Sequence, residues 1–265
     1  MNMSFYVGKI GAENSTKKMS VIANNLANIN NNGFKPKTAV FSELINYNLN
    51  DSPEAVTQLT AGAGGVVQRT ATDFGQSGIA QTGYEHDYAI GQPNAFFMLQ
   101  DPATNEITYS RNGRFHLSEG EEGFYLVSES GKLVMDQNRE PLLVDVIDVE
   151  EMQDAMEEGY EDYEDYEDYE DYEEDEDRPR LSVYTFSNPS RLLSAGDNEY
   201  TAAGTGMDPV LVEHPNIIQG ALETSGTDVA KEMTRLIECQ RAFSYAVRMV
   251  TTSDEIAGTI NSLRG

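Results

Sequence analysis

Both ends of the chain carry apolar residues at alternating intervals of three and four, and no other feature constrains the fold as strongly. Near the start, Phe5, Gly8, Ala12, Ser15, Met19, Ile22, Leu26 and Ile29 trace the pattern. Near the end, Val229, Met233, Leu236, Gln240, Phe243, Val247 and Val250 repeat it, and the stripe then moves to Ile256, Ile260 and Leu263. Such spacing makes one helix face apolar, and a sustained heptad is the seam of a coiled coil. It predicts one helix from Ser4 to Ile29, stopped by Asn30-Asn31-Asn32-Gly33, and a second from Asp228 to Leu263, roughly 50 Å long. The first seam opens on small residues, which lets another backbone come close.

Isolated helices are marginal in water, so both ends need a surface to bury against. Spacing alone leaves two readings open. One is an ordinary closed bundle inside a globular domain. In the other the two helices pair, and Val7, Ile10, Val21 and Ala23 on the first, with Ile237, Tyr245 and Met249 on the second, are left for neighbouring subunits. The adjacent Asn24 and Asn25 are poor helix formers beside Ile22 and Leu26. They read either as hydrogen-bonding residues at a contact with a neighbouring chain or as residues that face water.

Between the helices the pattern changes. Phe41 to Gly83 is rich in Gly, Thr, Ser, Gln and Asn and reads as an extended connector. From Tyr84 to Asp148, short apolar runs such as Phe96 to Leu99 and Phe124 to Val127 alternate with turn residues such as Asn112-Gly113 and Gly131, and Leu181 to Phe186 adds a further strand. The expected fold class is α+β: long N- and C-terminal helices pairing as a coiled-coil-like domain, with a β-rich central domain inserted between them. The expected divisions are an N-terminal helix and cap (1–40), a connector (41–83), a β-rich domain in two parts (84–149 and 179–215), an acidic insertion (150–178) and a C-terminal helix (216–265).

Charge is concentrated in that insertion. Of the net −27, the 18 acidic residues between Glu150 and Asp177 account for −18, with no Lys or Arg among them, which leaves −9 for the rest. Tyr-Glu-Asp repeats from Tyr160 through Asp171, and like charges at that density predict a solvated, disordered loop. No basic stripe exists to neutralise phosphates, which argues against nucleic-acid binding. Cys239 is the only cysteine, so no intrachain disulfide forms, and a buried small hydrophobe is the expected role.

No constellation of reactive residues is present in the sequence. His86, His116 and His214 are scattered, Gly62 to Gly65 lacks the Lys-Ser/Thr of a phosphate loop, and the acidic segment lacks the turn glycine of a calcium loop. No catalytic, cofactor-binding or metal residues are expected. An acidic cation- or partner-binding protein built on a closed bundle is the rival reading outside an assembly role. Met1 to Lys18 lacks the apolar core of a signal peptide and no stretch reaches membrane-spanning length, so neither a cleaved signal nor membrane insertion is expected.

Several segments together carry a resemblance. Ala23-Asn24-Asn25-Leu26-Ala27-Asn28 followed by Gly33-Phe34-Lys35 resembles the N-terminal signature of the flagellar rod and hook protein family. Gly220-Ala221-Leu222-Glu223-Thr224-Ser225, Glu232-Met233-Thr234 and Gln240-Arg241-Ala242-Phe243 resemble its C-terminal signature. Asp87-Tyr88-Ala89-Ile90, Phe96-Phe97 and Tyr109-Ser110-Arg111-Asn112-Gly113 are similar to its β-rich domain. The likeness covers nearly all the chain except Glu150 to Asp177. Ala95 stands where the family usually has Gly, and Ser225-Gly226-Thr227 where it usually has Ser-Asn-Val.

The resemblance implies a non-enzymatic subunit, exported without a cleaved signal through the flagellar export apparatus. Such subunits assemble helically with copies of themselves and with neighbouring rod and hook proteins outside the inner membrane, forming a hollow shaft that transmits torque. The segment from Ala61 to Gly78 resembles distal rather than proximal rod members. The assembly residues implied by seam and signature together are Phe5, Met19, Ile22, Asn24, Asn25, Leu26, Asn28, Gly33 and Phe34 at one end. At the other they are Val229, Met233, Leu236, Gln240, Arg241, Phe243, Val247 and Val250.

Overall fold

The computed structural model describes residues 3–43, 47–48, 60–61, 64–120, 123–144, 180–202 and 207–264. The acidic insertion expected at 150–178 lies outside them. The chain forms two compact units: Met1–Ser77 with Thr224–Gly265, and Gly78–Glu223.

The first unit holds α1 (Met3–Ala27), β1 (Lys37–Glu43), the short β2 (Tyr47–Asn48) and β3 (Thr60–Ala61), β4 (Gly65–Thr72), and the C-terminal helix α2 (Val229–Arg264). The α1 helix ends where Asn28 turns its side-chain amide back onto the carbonyl of Asn24, at 2.7 Å. Gly33 then reverses the chain at φ +66°, a left-handed conformation that costs glycine nothing. β1 and β4, rich in Val and Thr, pair antiparallel from Lys37↔Thr72 to Glu43↔Gly65, with a register shift at Val40/Phe41. Asn14 of α1 fastens the helix to this hairpin: its amide donates to the Gly65 carbonyl, and its oxygen accepts the Val67 N–H at 3.3 Å.

The expectation of long terminal helices pairing as a coiled-coil-like domain is corrected here. The fold is α+β, with one N-terminal and one C-terminal helix and a large antiparallel β region between them. α1 packs on both α2 and the β1–β4 hairpin. The residues of α2 turned inward are Glu232, Leu236, Cys239, Ala246, Val250 and Ser253, mostly small or polar, whereas Val229, Met233, Phe243 and Val247 of the anticipated seam are exposed. A heptad seam needs large apolar knobs facing a partner helix. Here most of the large residues point away, and Gly8 and Gly11 bring the α1 backbone close: a Cβ on Gly8 would lie 3.2 Å from the Ala246 carbonyl oxygen.

The second unit contains β5 (Ile79–Gln81), β6 (Tyr88–Ile90), β7 (Ala95–Gln100), β8 (Ile107–Ser110), β9 (Phe115–Glu119), β10 (Phe124–Ser128), β11 (Leu133–Val134) and β12 (Leu143–Val144). It continues with β13 (Val183–Thr185), β14 (Leu193–Gly196), β15 (Glu199–Thr201), β16 (Val210–Leu211), β17 (Ile217–Gln219) and β18 (Ala221–Glu223). Strands β7 to β16 form one ten-stranded antiparallel sheet, while β17 pairs with β6 and β18 with β5. β7 lies at the centre, and Ala95 to Leu99 are all buried, as a strand covered on both faces requires. Phe97 and Leu99 enter a cluster with Ile90, Phe115, Leu126, Val134 and Val183. Phe96 points to the opposite face and meets Phe186 and Tyr200 edge-to-face.

One ion pair lies inside this unit. Arg111 donates from Nε to Glu223 of β18 at 2.6 Å, and both side chains are wholly buried. Its remaining N–H groups reach the carbonyls of Gln92 and Ala95 at 2.8 Å and Ile90 at 3.3 Å. A second charge cluster joins Lys132 to Glu199 at 2.5 Å, and Thr108 and Ser130 also donate to Glu199.

Candidate assembly interface

In the first unit α1 and α2 run antiparallel. Gly8 lies against Ala246 and Val250, the Cys239 thiol donates to the Ser15 carbonyl at 3.1 Å, and the Asn25 amide reaches Glu232 at 3.4 Å. Burial between the helices pushes the Cys239 thiol pKa up, opposed weakly by the Lys18 ammonium. A buried thiol with a raised pKa packs as a small hydrophobe. Since Gly8 sits opposite Val250, about ten residues of α2 run past the start of α1, roughly 15 Å of helix carrying Ile256, Ile260 and Leu263.

The bare apolar residues of α2 form two stripes. In the first half Val229, Met233, Ile237, Phe243 and Val247 lie along one flank of the inward face. In the second half Tyr245, Met249, Ile256, Ile260 and Leu263 lie along the other flank, since 100° per residue carries the pattern across. All ten are between 37% and 83% exposed. Phe5 and Tyr6 of α1 are also exposed. Monomer surfaces usually expose such residues singly rather than in stripes.

The anticipated assembly residues divide into two groups. Ile22 and Phe34 are buried, and Met19, Leu26, Asn28, Leu236 and Val250 are half-buried inside the unit. Phe5, Asn24, Val229, Met233, Gln240, Arg241, Phe243 and Val247 are exposed. Asn25, read from sequence as a contact to a neighbouring chain or to water, bonds within its own chain. Its amide donates to the Lys37 carbonyl at 2.8 Å and its oxygen accepts the Lys37 N–H at 2.9 Å, which fixes the start of β1 against α1. Glu232 accepts from Asn25 and, at 2.6 Å, from Arg235.

Segments far apart in sequence converge beside this clamp. The Gly226 N–H donates to the Phe34 carbonyl at 2.9 Å, and the buried Lys35 ammonium donates to the Gly75 carbonyl at 2.7 Å. The two signature regions, Gly33-Phe34-Lys35 and Ser225-Gly226-Thr227, thus meet where α2 begins. Asp228 caps that beginning, its carboxylate accepting the Lys231 N–H at 3.1 Å.

Comparison with known proteins matches this surface and the chain around it. Residues 218–263, from β17 through α2, match the family model described as flagellar basal body rod FlgEFG protein C-terminal. A flagellar basal-body rod protein FlgG of Buchnera aphidicola subsp. Schizaphis graminum is 29% identical, covering 98% of this chain and 99% of its own length. FlgG of Bacillus subtilis is 26% identical over 100% of both chains, and the flagellar hook-basal body complex protein FlhP of the same organism is 26% identical over 94% of each. Over nearly its whole length the chain is similar to flagellar basal-body rod proteins.

Three residues of this chain escaped the sequence reading as contact positions. Arg111 and Glu223 each fall inside a signature segment, but nothing local links charges 112 positions apart. Gly11 offered only its small size, and its role is visible once Ala246 is seen 3.4 Å from where its Cβ would be. Among the described residues no helix is long and apolar enough to cross a membrane, and no group of His, Cys, Asp and Glu is placed to hold a metal ion.

Proposed function

We propose that this chain is a structural subunit of the flagellar basal-body rod that assembles with copies of itself and with neighbouring rod and hook proteins. The observation that carries the reading is the bare apolar face of α2, borne by the segment that matches the rod family model. Two flanking stripes suit a helix gripped by different neighbours on either side, as a helical array of subunits requires. Phe5, Met19, Ile22, Asn24, Leu26, Asn28, Gly33 and Phe34 serve this array by shaping or presenting the surface of the first unit, and Asn25 holds that surface in register with β1. Val229, Met233, Leu236, Gln240, Arg241, Phe243, Val247 and Val250 line it along α2.

In the assembled rod such subunits transmit torque from motor to hook around a hollow lumen. They reach their place outside the inner membrane through the flagellar export apparatus without a cleaved signal. The role is mechanical and calls for no reaction. The relatives named FlgG favour the position along the rod that those proteins occupy, and deleting the gene and imaging where the basal body stops growing assigns it.

The test is assembly itself. Purified chain raised through increasing concentrations should sediment as filaments or tubes, and Met233→Lys or Ile237→Lys should raise the concentration at which this begins by at least tenfold. A chain that stays monomeric at every concentration, and is missing from extracted basal bodies, refutes the reading.

A further inference from the structure

Six strands of the second unit lie side by side in the order β16, β13, β7, β8, β15, β14, each antiparallel to the next. Among the described residues β16 pairs only with β13 and β14 only with β15, so the run ends on two open edges. Each edge offers unpaired backbone N–H and C=O groups, which protein surfaces usually guard with charges, prolines or a covering segment. β14 reads Leu193-Ser194-Ala195-Gly196, uncharged and exposed throughout. β16 is Val210-Leu211, also exposed, with Pro209 just before it. Leu193 and Val210 are 57% and 54% exposed.

These edges match each other. Six alternating strands leave β16 and β14 running in opposite directions. A second copy placed to continue the sheet therefore lays its β16 antiparallel to β14 without being turned over. The faces agree as well. Val210 pairs with Thr185 and Thr185 with Ala95, which puts Val210 on the Phe97 face. Phe97 pairs with Ser110 and Ser110 with Glu199; Thr201 lies two residues on and pairs with Leu193, which stands on that same face.

We propose that β14 of one copy takes β16 of a second copy as its next strand, with Leu193 beside Val210, so that the sheet continues from subunit to subunit. This rests on the reading of the chain as a self-assembling subunit. The contact is head-to-tail, leaves a fresh edge at each end and cannot close between two copies, so it propagates. A two-residue strand supplies few hydrogen bonds. The contact orients subunits already held by their helices and does not hold a pair together by itself.

The test uses the full chain with one added cysteine. Leu193→Cys and Val210→Cys are made separately, and the two proteins are mixed, assembled and mildly oxidised, with the wild-type chain and its buried Cys239 as control. Directly opposed strand residues have Cβ atoms about 4.5–5.5 Å apart, close to disulfide range. Covalent dimer should form in the mixture, at least tenfold above either variant alone or the control. In parallel, Leu193→Lys and Val210→Lys, both at exposed positions, should each raise the assembly threshold about threefold to tenfold, and Leu193→Glu with Val210→Lys should restore it. Sedimenting assemblies without the mixed dimer, or with Leu193→Cys crosslinking to itself equally well, overturn the edge contact and leave the rod reading standing. Absence of any assembly removes both.

Discussion

Replacing Arg111 by Met should unfasten β18 from the sheet of the second unit. The guanidinium makes four hydrogen bonds, one to the Glu223 carboxylate and three to the carbonyls of Gln92, Ala95 and Ile90, and is wholly buried. Methionine fills similar volume, so little of the loss comes from a cavity. The loss comes from a buried carboxylate left without its cation, for which the cost is about 3–5 kcal/mol. Each carbonyl deprived of its donor adds up to about 1 kcal/mol, partly recovered as water enters. A loss of about 4 kcal/mol corresponds to roughly a thousandfold faster amide exchange where opening exposes the site. The assay is hydrogen exchange at Tyr88–Ile90 and Ala95–Gln100, the strands Arg111 ties together. Exchange in α2 serves as the control, since the first unit has its own contacts. The double variant Arg111→Met/Glu223→Leu should lose less than the sum of its singles, because it strands no charge. A change below about tenfold in the single variant would refute the argument, since it would mean the pair is solvated and contributes like an exposed one.

Other perturbations follow from the same contacts. Gly8→Ala should destabilise the first unit by about 1–2 kcal/mol in urea denaturation, because its Cβ would lie 2.9 Å from Val250 and 3.2 Å from the Ala246 carbonyl. Gly11→Ala, whose Cβ would meet the Ala246 Cβ at 3.4 Å, an ordinary contact distance, should instead stabilise it by a few tenths to about 1 kcal/mol. Asn25→Ala should cost about 2–3 kcal/mol by releasing both ends of the Lys37 peptide, seen as lost amide protection in β1. Burial raises the Tyr109 phenol pKa from 10.0 to about 12, and raises that of Tyr200 further, opposed by the Arg111 charge. Since the folded value lies above the unfolded one, the protonated phenols support the fold fully below pH 10, and this support is lost as pH climbs from 10 through 12. Near-ultraviolet circular dichroism should therefore fall across that window, and Tyr109→Phe should reduce the loss.

Much of this architecture was legible because it depends on local pattern. The turn at Gly33, the apolar run at Phe96 to Leu99 and the two terminal helices all follow from spacing over a few residues. What stayed hidden depends on distance in sequence. Asn25 looked like a polar residue waiting for another chain, yet its partner is the Lys37 backbone twelve positions on, past a reversal whose angle no periodicity reports. The inward face of α2 was hidden for a related reason. The seam at Val229, Met233, Phe243 and Val247 is the strongest apolar repeat in that helix, whereas the residues that touch α1 include Glu232, Cys239 and Ala246, which no hydrophobic pattern selects.

That displacement bears on which of the two original readings the molecule favours. In a closed bundle the strongest stripe turns inward, because each large aliphatic or aromatic side chain contributes about 1.5–3 kcal/mol when fully buried. Here α2 contacts its own chain mostly through small and polar residues and leaves ten large ones uncovered. With roughly half of each still exposed, covering all ten is worth on the order of 10 kcal/mol, while joining two bodies costs an estimated 4–15 kcal/mol. One neighbour covering a single stripe gains only about 5 kcal/mol, at the bottom of that range. A subunit adding between two neighbours already in place covers both stripes for one such cost. A surface so balanced predicts weak pairs and cooperative growth. Sedimentation equilibrium should therefore detect monomer and large assemblies with few dimers between them, and a stable dimer as the dominant species would contradict the proposed role.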